Sequence, residues 1–196
     1  RHRPPWPATY HRWRQVTLAL LLLLIGTGFF LSRPAYAAAI TADGTTCTLI
    51  DAITAANTDT ATNGCPAGSG ADTITLRADV TLTAVNNGTI FNTGPNGLPA
   101  IASVITIEGD GHTIARSTAG GTPDFRLLHV GANGNLTLNR VTLTAGKTSQ
   151  GGAISNSGTL TINNSTLSGN SGSSAGGAIA NGGTLTLNSS TLSSNS

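Results

Sequence analysis

A near-identical internal repeat occupies the last part of the sequence. The segment Gly151–Ala175 reads GGAISNSGTLTINNSTLSGNSGSSA, and Gly176–Ser196 then reads GGAIANGGTLTLNSSTLSSNS. At an offset of 25 the two segments agree at 16 of 21 positions, and apolar residues such as Leu160 and Ile162 alternate with polar ones. Residues two apart share one face of a strand. Because a unit of this length cannot bury its apolar face alone, the repeat predicts short strands in units stacked on one another.

The same pattern continues toward the N-terminus. Val130–Thr144 aligns with the segment that begins at Ile154 at an offset of 24. Shorter strand patterns lie farther back, at Asp72, Val80 and Ser103. Within each repeat we expect three strands, at Gly-Gly-Ala-Ile, at Thr-Leu-Thr followed by Ile or Leu, and at Ser-Thr-Leu-Ser. A disordered Gly/Ser/Asn linker is the alternative, and the constant register of the aliphatic residues argues against it. We therefore predict an all-β fold, a parallel β-solenoid with coils of about 25 residues over 72–196.

The first 37 residues are organised like a secretory signal peptide. Basic residues come first: Arg1, Arg3, Arg12 and Arg14. A weakly polar or apolar run, Val16–Leu31, follows, and Ala35-Tyr36-Ala37 supplies an A-x-A cleavage site. The run is shorter than the ~20 residues that a membrane-spanning helix needs. We predict a signal peptide over 1–37 with cleavage after Ala37, and a retained signal anchor is the alternative.

Removal of this segment would reverse the sign of the net charge. Five of the ten basic residues lie within it, whereas all eight acidic residues lie after it, so the net charge changes from +2 to −3. A chain with this balance lacks the basic surface that nucleic-acid binding requires. We therefore expect no nucleic-acid partner.

One helix is predicted ahead of the first coil, in a cap segment over 38–71. In CTLIDAITAAN the apolar residues recur at helical spacing and form one stripe, at Leu49, Ala52, Ile53 and Ala56. Thr48 stands at the start and Asp51 three residues later, a spacing that predicts a capping box for free N–H groups. A short amphipathic helix here can cover the open end of the solenoid, which would otherwise expose apolar surface and unpaired strand edges.

The chain contains two cysteines, Cys47 before the predicted helix and Cys65 in the loop after it. In an exported chain a disulfide between them would close a loop of under twenty residues and stabilise the fold by about 3 kcal/mol. Two free thiols, or attachment of a lipid to Cys47, are the alternatives. Lipid attachment is disfavoured because Cys47 lies ten residues beyond the predicted cleavage point.

The segment CTLIDAITAAN also matches a known motif, Cys-Ser-Leu-Arg-Glu-Ala followed by Ile and an Ala-Ala-Asn stretch. The matches are Cys47, Leu49 and Ala52; two further positions carry conservative changes, and Ile50 stands where the motif has Arg. On these residues the chain resembles the bacterial extracellular CSLREA-domain proteins.

Two further passages extend the resemblance over nearly all of the chain after residue 37. GADTITL from Gly70 and GLPAIASVITIEGDGHTI from Gly97 are similar to the same family. The Gly-Gly-Ala-Ile motifs and the Leu-Ser-Gly-Asn stretch from Leu167 to Asn170 resemble repeats of polymorphic outer-membrane proteins, in which Phe usually replaces that Leu. The resemblance implies a right-handed parallel β-helix on or outside the cell. It implies little about activity, because such helices serve both adhesins and polysaccharide-cleaving enzymes.

The strongest candidate for metal or acid–base chemistry is the group Glu108, Asp110 and His112 in IEGDGHT. Two carboxylates and an imidazole can bind a metal ion or divide the acid and base roles. Nothing in their spacing fixes a metal geometry, however. A Gly-flanked turn whose polar residues face water explains the same sequence and is the favoured interpretation.

Asp124, Arg126 and His129 form a second, looser group. If Leu128 and Val130 face inward, His129 faces outward, and we expect it to be accessible. Accessibility alone does not make a catalytic site. No catalytic role is therefore predicted for this group.

Residues 148–196 contain no Asp, Glu, Lys, Arg or His. We predict no catalytic residue, no cofactor and no metal in the present segment; calcium-stacked repeats in particular need an Asp in every turn. Asn170 and Asn195 are interpreted as a turn ladder that bonds backbone groups. The outward threonines of the two repeats form a row that is expected to break at Asn135.

The uncharged repeat is best explained as a stiff scaffold with outward ladders of Ser, Thr and Asn. The first hypothesis is a secreted or cell-surface protein, in the outer membrane if the cell has one, that acts as an adhesin or surface stalk. Its partner would be a host or environmental surface, a glycan or another cell-surface protein. The alternative is the N-terminal part of an extracellular polysaccharide-active enzyme, a lyase or hydrolase, with its active site beyond residue 196.

The two ends of the sequence bear on both hypotheses. The chain does not begin with Met and ends inside a repeat, so we expect a fragment that is truncated at the C-terminus. Contact with a membrane is expected only through the signal segment or through a missing C-terminal anchor.

Overall fold

In the computed structural model the described residues are 37–88 and 94–196. The predicted signal peptide lies outside them except for its last residue. These two stretches contain sixteen strands and one helix, α1 (Leu49–Thr58). The strands are β1 (Ala39–Ala42), β2 (Ala71–Leu76), β3 (Val80–Leu82), β4 (Val104–Glu108), β5 (Thr113–Arg116), β6 (Leu128–Val130), β7 (Asn135–Asn139), β8 (Thr142–Thr144), β9 (Lys147–Gln150), β10 (Ile154–Asn156), β11 (Thr159–Asn163), β12 (Thr166–Ser168), β13 (Ser171–Ala175), β14 (Ile179–Asn181), β15 (Thr184–Asn188) and β16 (Thr191–Ser193).

The strands form four sheets in which all neighbours are parallel. The six-stranded sheet has the order β1-β2-β4-β7-β11-β15, and the five-stranded sheet has the order β3-β5-β8-β12-β16. The remaining sheets have the orders β6-β10-β14 and β9-β13. The prediction of an all-β fold with parallel strands is confirmed.

In the six-stranded sheet, equivalent positions of successive repeats lie side by side. Leu160 pairs with Leu185 of the following repeat and with Leu136 of the preceding one. The inward residues form an aliphatic column: Ile40, Ile74, Ile107, Leu138, Ile162 and Leu187. The first five are at most 1% exposed. Each repeat therefore buries its apolar residues against the repeats beside it.

The three-stranded sheet departs from the predicted alignment. Ile154 pairs with Leu128, not with Val130. The offset of 24 is therefore wrong for this strand, although it holds for the next two. The loop 131–134 after β6 is two residues longer than the loop 157–158 after β10, so β6 lies two residues earlier in the chain.

The repeat 151–175 contains four strands, and the prediction of three is wrong. The additional strand, β13, reads SGSSA and pairs with β9. It has no large aliphatic residue, so alternation gives no signal there. The first strand begins at Ile154, after the two glycines. Gly151 has φ 62°, and a Cβ on it would lie 2.2 Å from the carbonyl oxygen of Ile154, so this turn requires glycine.

Helix α1 begins at a side-chain cap. The Oγ1 of Thr48 accepts a hydrogen bond from the N–H of Asp51 (3.2 Å) and donates one to Asp51 Oδ2 (2.6 Å). The other carboxylate oxygen of Asp51 accepts from Asn63 Nδ2 (2.8 Å). Asp51 thus bonds the Thr48 hydroxyl and the following loop, whereas in a full capping box it would accept from the Thr48 N–H.

Cys47 and Cys65 form a disulfide that ties the start of α1 to the loop after it. Both residues are buried, at 4% and 2% exposure. The alternatives of free thiols and of a lipid on Cys47 do not apply to this structure. Just before the helix, Asp43 Oδ1 accepts hydrogen bonds from the N–H groups of Thr45, Thr46 and Cys47. These bonds, that of Cys47 first, lower the pKa of Asp43.

The predicted cap segment, 38–71, contributes a strand as well as the helix. β1 pairs with β2 and forms an edge of the six-stranded sheet. Helix α1 contacts β1, β2 and β4, and its buried residues share one core with Ile40 and Ile74. With four residues, two of them alanine, β1 carries too little alternation to be predicted.

The last turn of α1 closes a backbone edge through Asn57. Its Nδ2 donates to the carbonyl of Ala100 (2.8 Å), and its Oδ1 accepts from the N–H of Ala102 (2.9 Å). Ile101, between them, bridges in parallel to Val130 of β6. In a parallel sheet, one residue of a neighbouring strand makes the same pair of bonds. The side-chain amide of Asn57 therefore takes the place of a further strand.

Replacement of Asn57 by Ala should lower the free energy of unfolding by about 1–2 kcal/mol, because it leaves a backbone carbonyl and an N–H without protein partners. Urea denaturation of both proteins measures the difference. Thr58→Ala is the matched control, since the Thr58 hydroxyl donates to Thr54 within the helix. It should change stability by no more than about 0.5 kcal/mol. Equal losses of unfolding free energy in the two variants would contradict the role of Asn57 as a substitute for a further strand.

Candidate functional site

The first predicted group lies at the turn between β4 and β5. Glu108 ends β4, and Asp110 and Gly111 follow with φ angles of 49° and 90°. Arg140 contacts both acids: its Nη2 lies 3.3 Å from Glu108 Oε2 and bonds Asp110 Oδ1. The hydrogen bond to Asp110, followed by the charge of Glu108, raises the pKa of Arg140. The two acids are thus engaged in ion pairs with an arginine.

His112 does not join these acids. Its Nδ1 lies 3.2 Å from Asp79 Oδ1, which also accepts from the N–H of Thr113 (2.9 Å). The bond from Thr113 and then that from His112 lower the pKa of Asp79. Within 37–88 and 94–196, no group of three or more His, Cys, Asp or Glu residues is placed to hold a metal ion. The site is a Gly-flanked turn whose polar side chains pair with Arg140 and Asp79, whereas the favoured interpretation of the sequence has them facing water.

The second predicted group is also divided. Asp124 is exposed, and its Oδ2 lies 3.1 Å from Lys147 Nζ. Arg126 is 0% exposed and His129 is 5% exposed, so the prediction that His129 is accessible is wrong. Its partner in the next strand, Ser155, is buried as well. The outward side of β6 and β10 is therefore covered here, whereas the alternation rule assumes that it meets water.

Arg126 links three successive repeats in the interior. Its Nε donates to the carbonyls of Gln150 (3.2 Å) and Gly151 (3.0 Å), and its Nη2 donates to Gln150 (2.6 Å). Its Nη1 donates to Asn96 Oδ1 (2.8 Å). Burial lowers the pKa of Arg126 to about 10. These bonds give Arg126 a structural role, which no feature of the sequence had indicated.

The imidazole of His129 is buried beside this guanidinium. Burial lowers the pKa of His129, the charge of Arg126 lowers it further, and a backbone hydrogen bond at Ser155 opposes both effects. Nδ1 has no hydrogen-bond partner within the part of the chain that the structure describes. His129 is therefore held neutral at physiological pH.

Asn170 and Asn195 lie one above the other in a turn. Asn170 donates through both its N–H and its Nδ2 to Asn195 Oδ1 (3.0 Å each), and its own Oδ1 accepts from the N–H of Gly146 (3.0 Å). Asn195 Nδ2 donates to the carbonyl of Leu167 (2.9 Å). Each asparagine thus bonds backbone groups of the preceding repeat and holds the turns in register.

A second asparagine ladder runs along the end of the six-stranded sheet. Asn188 Nδ2 donates to Asn163 Oδ1 (2.8 Å), and Asn163 Nδ2 donates to Asn139 Oδ1 (2.8 Å). Asn139 Nδ2 donates to Glu108 Oε1 (2.6 Å), so the chain of amides ends on a carboxylate. The amide dipoles all point one way, and the negative charge of Glu108 is stabilised at their donor end. Sequence reasoning missed this ladder, although Asn recurs at the last position of three strands.

Threonines form an unbroken outward column on the six-stranded sheet: Thr73, Thr106, Thr137, Thr161 and Thr186. All five are half-buried or exposed. At ~4.8 Å between strands the column is about 19 Å long. Asn135, where the row was expected to break, interrupts only the adjacent column, in which it pairs with Thr159.

The five-stranded sheet carries a second column, made of Thr113, Thr142, Thr166 and Thr191. A shallow groove of about 570 Å³ adjoins it, lined by Thr142, Thr166, Asn164 and the ion pair of Asp110 with Arg140. Columns and groove together present hydroxyl and amide groups at a regular spacing. Such an array suits contact with a polar surface.

The burial of His129 predicts a loss of stability in acid. Its pKa is near 6.5 in the unfolded chain and lower in the folded one, so the unfolded state binds more protons as the pH falls below about 6.5. We expect the free energy of unfolding to decrease there by up to about 1.4 kcal/mol per pH unit, and the decrease to be smaller in His129→Gln. Denaturant titrations between about pH 5 and 8 measure both slopes.

Above about pH 7.5 the free energy of unfolding should depend on pH in the same way in the wild type and in His129→Gln, because His129 of the wild type is then neutral in both the folded and the unfolded state. That range is the internal control. An acid slope that His129→Gln leaves unchanged would contradict the assignment.

Comparison with protein-family models, with curated proteins and with solved structures finds no match for this chain. The helix of the described stretches, α1, falls short of the length and apolarity needed to cross a membrane. The columns, ladders and ion pairs of these stretches are therefore the basis for assigning a function.

Proposed function

We propose that this protein is a right-handed parallel β-helix of the CSLREA-domain type that is displayed outside the cell and serves as an adhesin or surface stalk. Its outward columns of Thr and Asn would contact the partner, a host or environmental surface, a glycan or another cell-surface protein. The observation that carries the proposal is the unbroken threonine column on the six-stranded sheet.

The order of the strands supports the helical architecture. Within one repeat, β10, β11, β12 and β13 belong to four different sheets, and the following strands, β14, β15 and β16, return to the first three in the same order. A chain that visits each sheet in turn and comes back one strand farther along winds as a solenoid. The resemblance of the repeats to polymorphic outer-membrane proteins supports the right-handed sense.

Two features support an extracellular location. Disulfides persist in oxidising compartments, and Cys47 and Cys65 form one. The first 37 residues have the basic start, the apolar run and the A-x-A site of an export signal.

The threonine column supports adhesion through its chemistry. A hydroxyl both donates and accepts hydrogen bonds, so a column spaced at ~4.8 Å can match repeating polar groups on a partner. Its side chains are β-branched and stand on paired strands, so little conformational entropy remains to be lost on binding.

Export is the first testable consequence. Expressed in a bacterial host with its own N-terminal segment, the chain should leave the cytoplasm, begin at Ala38 and lack free thiols. Cell fractionation measures the location, and intact mass before and after alkylation measures the first residue and the number of free thiols. Ala37→Arg, which destroys the A-x-A site, is the control and should block cleavage. A chain recovered from the cytoplasm with two free thiols would refute the proposed location.

Surface binding is the second testable consequence of the proposal. The exported chain should be retained on insoluble cellulose, insoluble chitin or mucin-coated wells, and Thr137→Lys with Thr161→Lys should reduce that retention by about tenfold or more. Thr118→Lys with Ala119→Lys, at two exposed positions in the loop after β5 and outside both columns, is the matched control with the same added charge and should bind like the wild type. Lack of retention on all three supports, or equal losses in both variants, would count against adhesion through this column. Release of reducing or unsaturated sugar ends would favour the polysaccharide-active enzyme instead.

A further inference from the structure

A carboxylate occupies an inward position of the six-stranded sheet that the later repeats give to aliphatic residues. Asp72 of β2 pairs in register with Ile105 of β4, and the same column continues through Leu136, Leu160 and Leu185. Asp72 is 1% exposed, and its Oδ2 has no hydrogen-bond partner among the described residues. Because a buried charge is normally paired with an opposite charge, we expect a partner for this carboxylate.

The hydrogen bonds to Asp72 come from neutral backbone amides. Its Oδ1 accepts from the N–H of Ser69 (2.8 Å) and from the N–H of Ala38 (3.1 Å). On the other side, Gly68 lies so close that a Cβ on it would be 2.5 Å from Oδ2. None of the Lys, Arg and His residues in the two described stretches forms an ion pair with Asp72. Within these stretches the negative charge is therefore uncompensated while Ala38 N belongs to a peptide bond.

Ala38 is also the residue that the predicted export cleavage turns into an N-terminus. The A-x-A site ends at Ala37, which is exposed, whereas Ala38 is half-buried. The carbonyl of Ala38 accepts a hydrogen bond from the N–H of Thr73 (2.8 Å), so the pairing of β1 with β2 holds Ala38 beside Asp72. Hydrolysis of the Ala37–Ala38 bond by a signal peptidase consumes one water. Ala37 leaves as a carboxylate, and Ala38 keeps an α-amine that is protonated near neutral pH.

We propose that Asp72 is the binding site for the α-ammonium group that cleavage creates on Ala38, and that the two groups form an ion pair. The nitrogen of Ala38 already lies 3.1 Å from Oδ1, so a charge-assisted hydrogen bond forms there without rearrangement of β1. Cleavage adds two N–H donors to this nitrogen and supplies the positive charge that the carboxylate lacks. The inference rests on the proposed export, because the ammonium exists only after cleavage.

The ion pair requires cleavage at one particular bond. Residues 35–39 read AYAAA and contain a second A-x-A site, which ends at Ala39. Cleavage after Ala39 would remove Ala38, and with it the nitrogen beside Asp72. A chain that begins one residue earlier, at Ala37, would keep Ala38 N as a neutral amide and carry its ammonium on an exposed residue. Of these three chains, the one that begins at Ala38 brings a positive charge to Asp72.

A thermodynamic cycle tests the ion pair. The segment before the first residue is replaced by a soluble carrier that ends in a protease site, so that cutting the folded chain exposes Ala38 or Ala37 without any need for export. The chain that begins at Ala38 should melt about 5 °C or more above the chain that begins at Ala37. The two chains differ by one exposed alanine and have the same net charge. In Asp72→Asn, which keeps an oxygen acceptor but loses the charge, the difference should disappear.

Equal melting temperatures for the two wild-type chains would overturn the proposal. A difference that Asp72→Asn preserves would overturn it as well, because the cause would then lie elsewhere. Both results are distinct from a failure of the proposed location. A chain that stays in the cytoplasm in the export experiment is still cut in vitro here, and its melting temperature still reports on the ion pair.

Acylation of amines gives a second readout that needs no substitution of Asp72, and so it stays decisive if Asp72→Asn does not fold. The chain that begins at Ala38 has two primary amines, its α-amine and Nζ of Lys147. An ammonium held in an ion pair keeps its proton and reacts slowly with an acylating reagent. The first residue should therefore react about tenfold more slowly in the chain that begins at Ala38 than in the chain that begins at Ala37.

Lys147 is the internal control for this measurement. Its Nζ lies beside Asp124 and is remote in sequence from the cut, so it should react at the same rate in both chains. Mass spectrometry of the digested chains measures the two rates. Equal acylation of the first residue in the two chains would refute the ion pair between Ala38 and Asp72.

Discussion

The fold depends on lateral contact between successive repeats. A single repeat, with its short strands, has no interior of its own, so its aliphatic side chains become buried only between neighbours. The degree of burial follows this rule along one column of the six-stranded sheet. Leu138 and Ile162, with a repeat on each side, are 0% exposed, whereas Leu187, with a described repeat on one side only, is 43% exposed. Stability in such a stack is therefore a property of interfaces between repeats.

Stacking also explains why the repeats are uncharged. In a near-identical repeat each residue lies ~4.8 Å from its own copy, where two like charges in water repel by about 0.9 kcal/mol. A charge repeated in every unit would add this cost at every step. Neutral Asn and Thr instead gain from stacking, as the bonds from Asn188 through Asn163 to Asn139 show. Glu108 is the one acid in that ladder. It lies at the end of the ladder, where the repeat pattern of the sequence changes, and it forms an ion pair with Arg140.

The regular parts of this fold could be predicted from the sequence, because period-2 alternation and a repeated unit leave few alternatives. The parallel sheets and the pairing of Leu160 with Leu185 follow from that pattern, and the helix from Leu49 follows from the helical spacing of its apolar residues. The predictions failed where the structure depends on features that this sequence pattern does not contain. Loop 131–134 shifts one strand by two residues, and β13 has no aliphatic signal. The burial of His129 depends on contacts that lie far apart in the sequence.

The end of the stack that α1 covers and the interior of the stack pose different physical problems. Closing the first end takes residues that occur once: a helix, a disulfide, and the amide of Asn57, which substitutes for a strand. A repeat that copies its neighbour cannot close an end in this way. Leu187 and Leu192 copy Ile162 and Leu167, two residues that are suited to burial between repeats. Identity between repeats therefore suits the interior of the stack, where each repeat presents to the next the same surface that it meets on the one before.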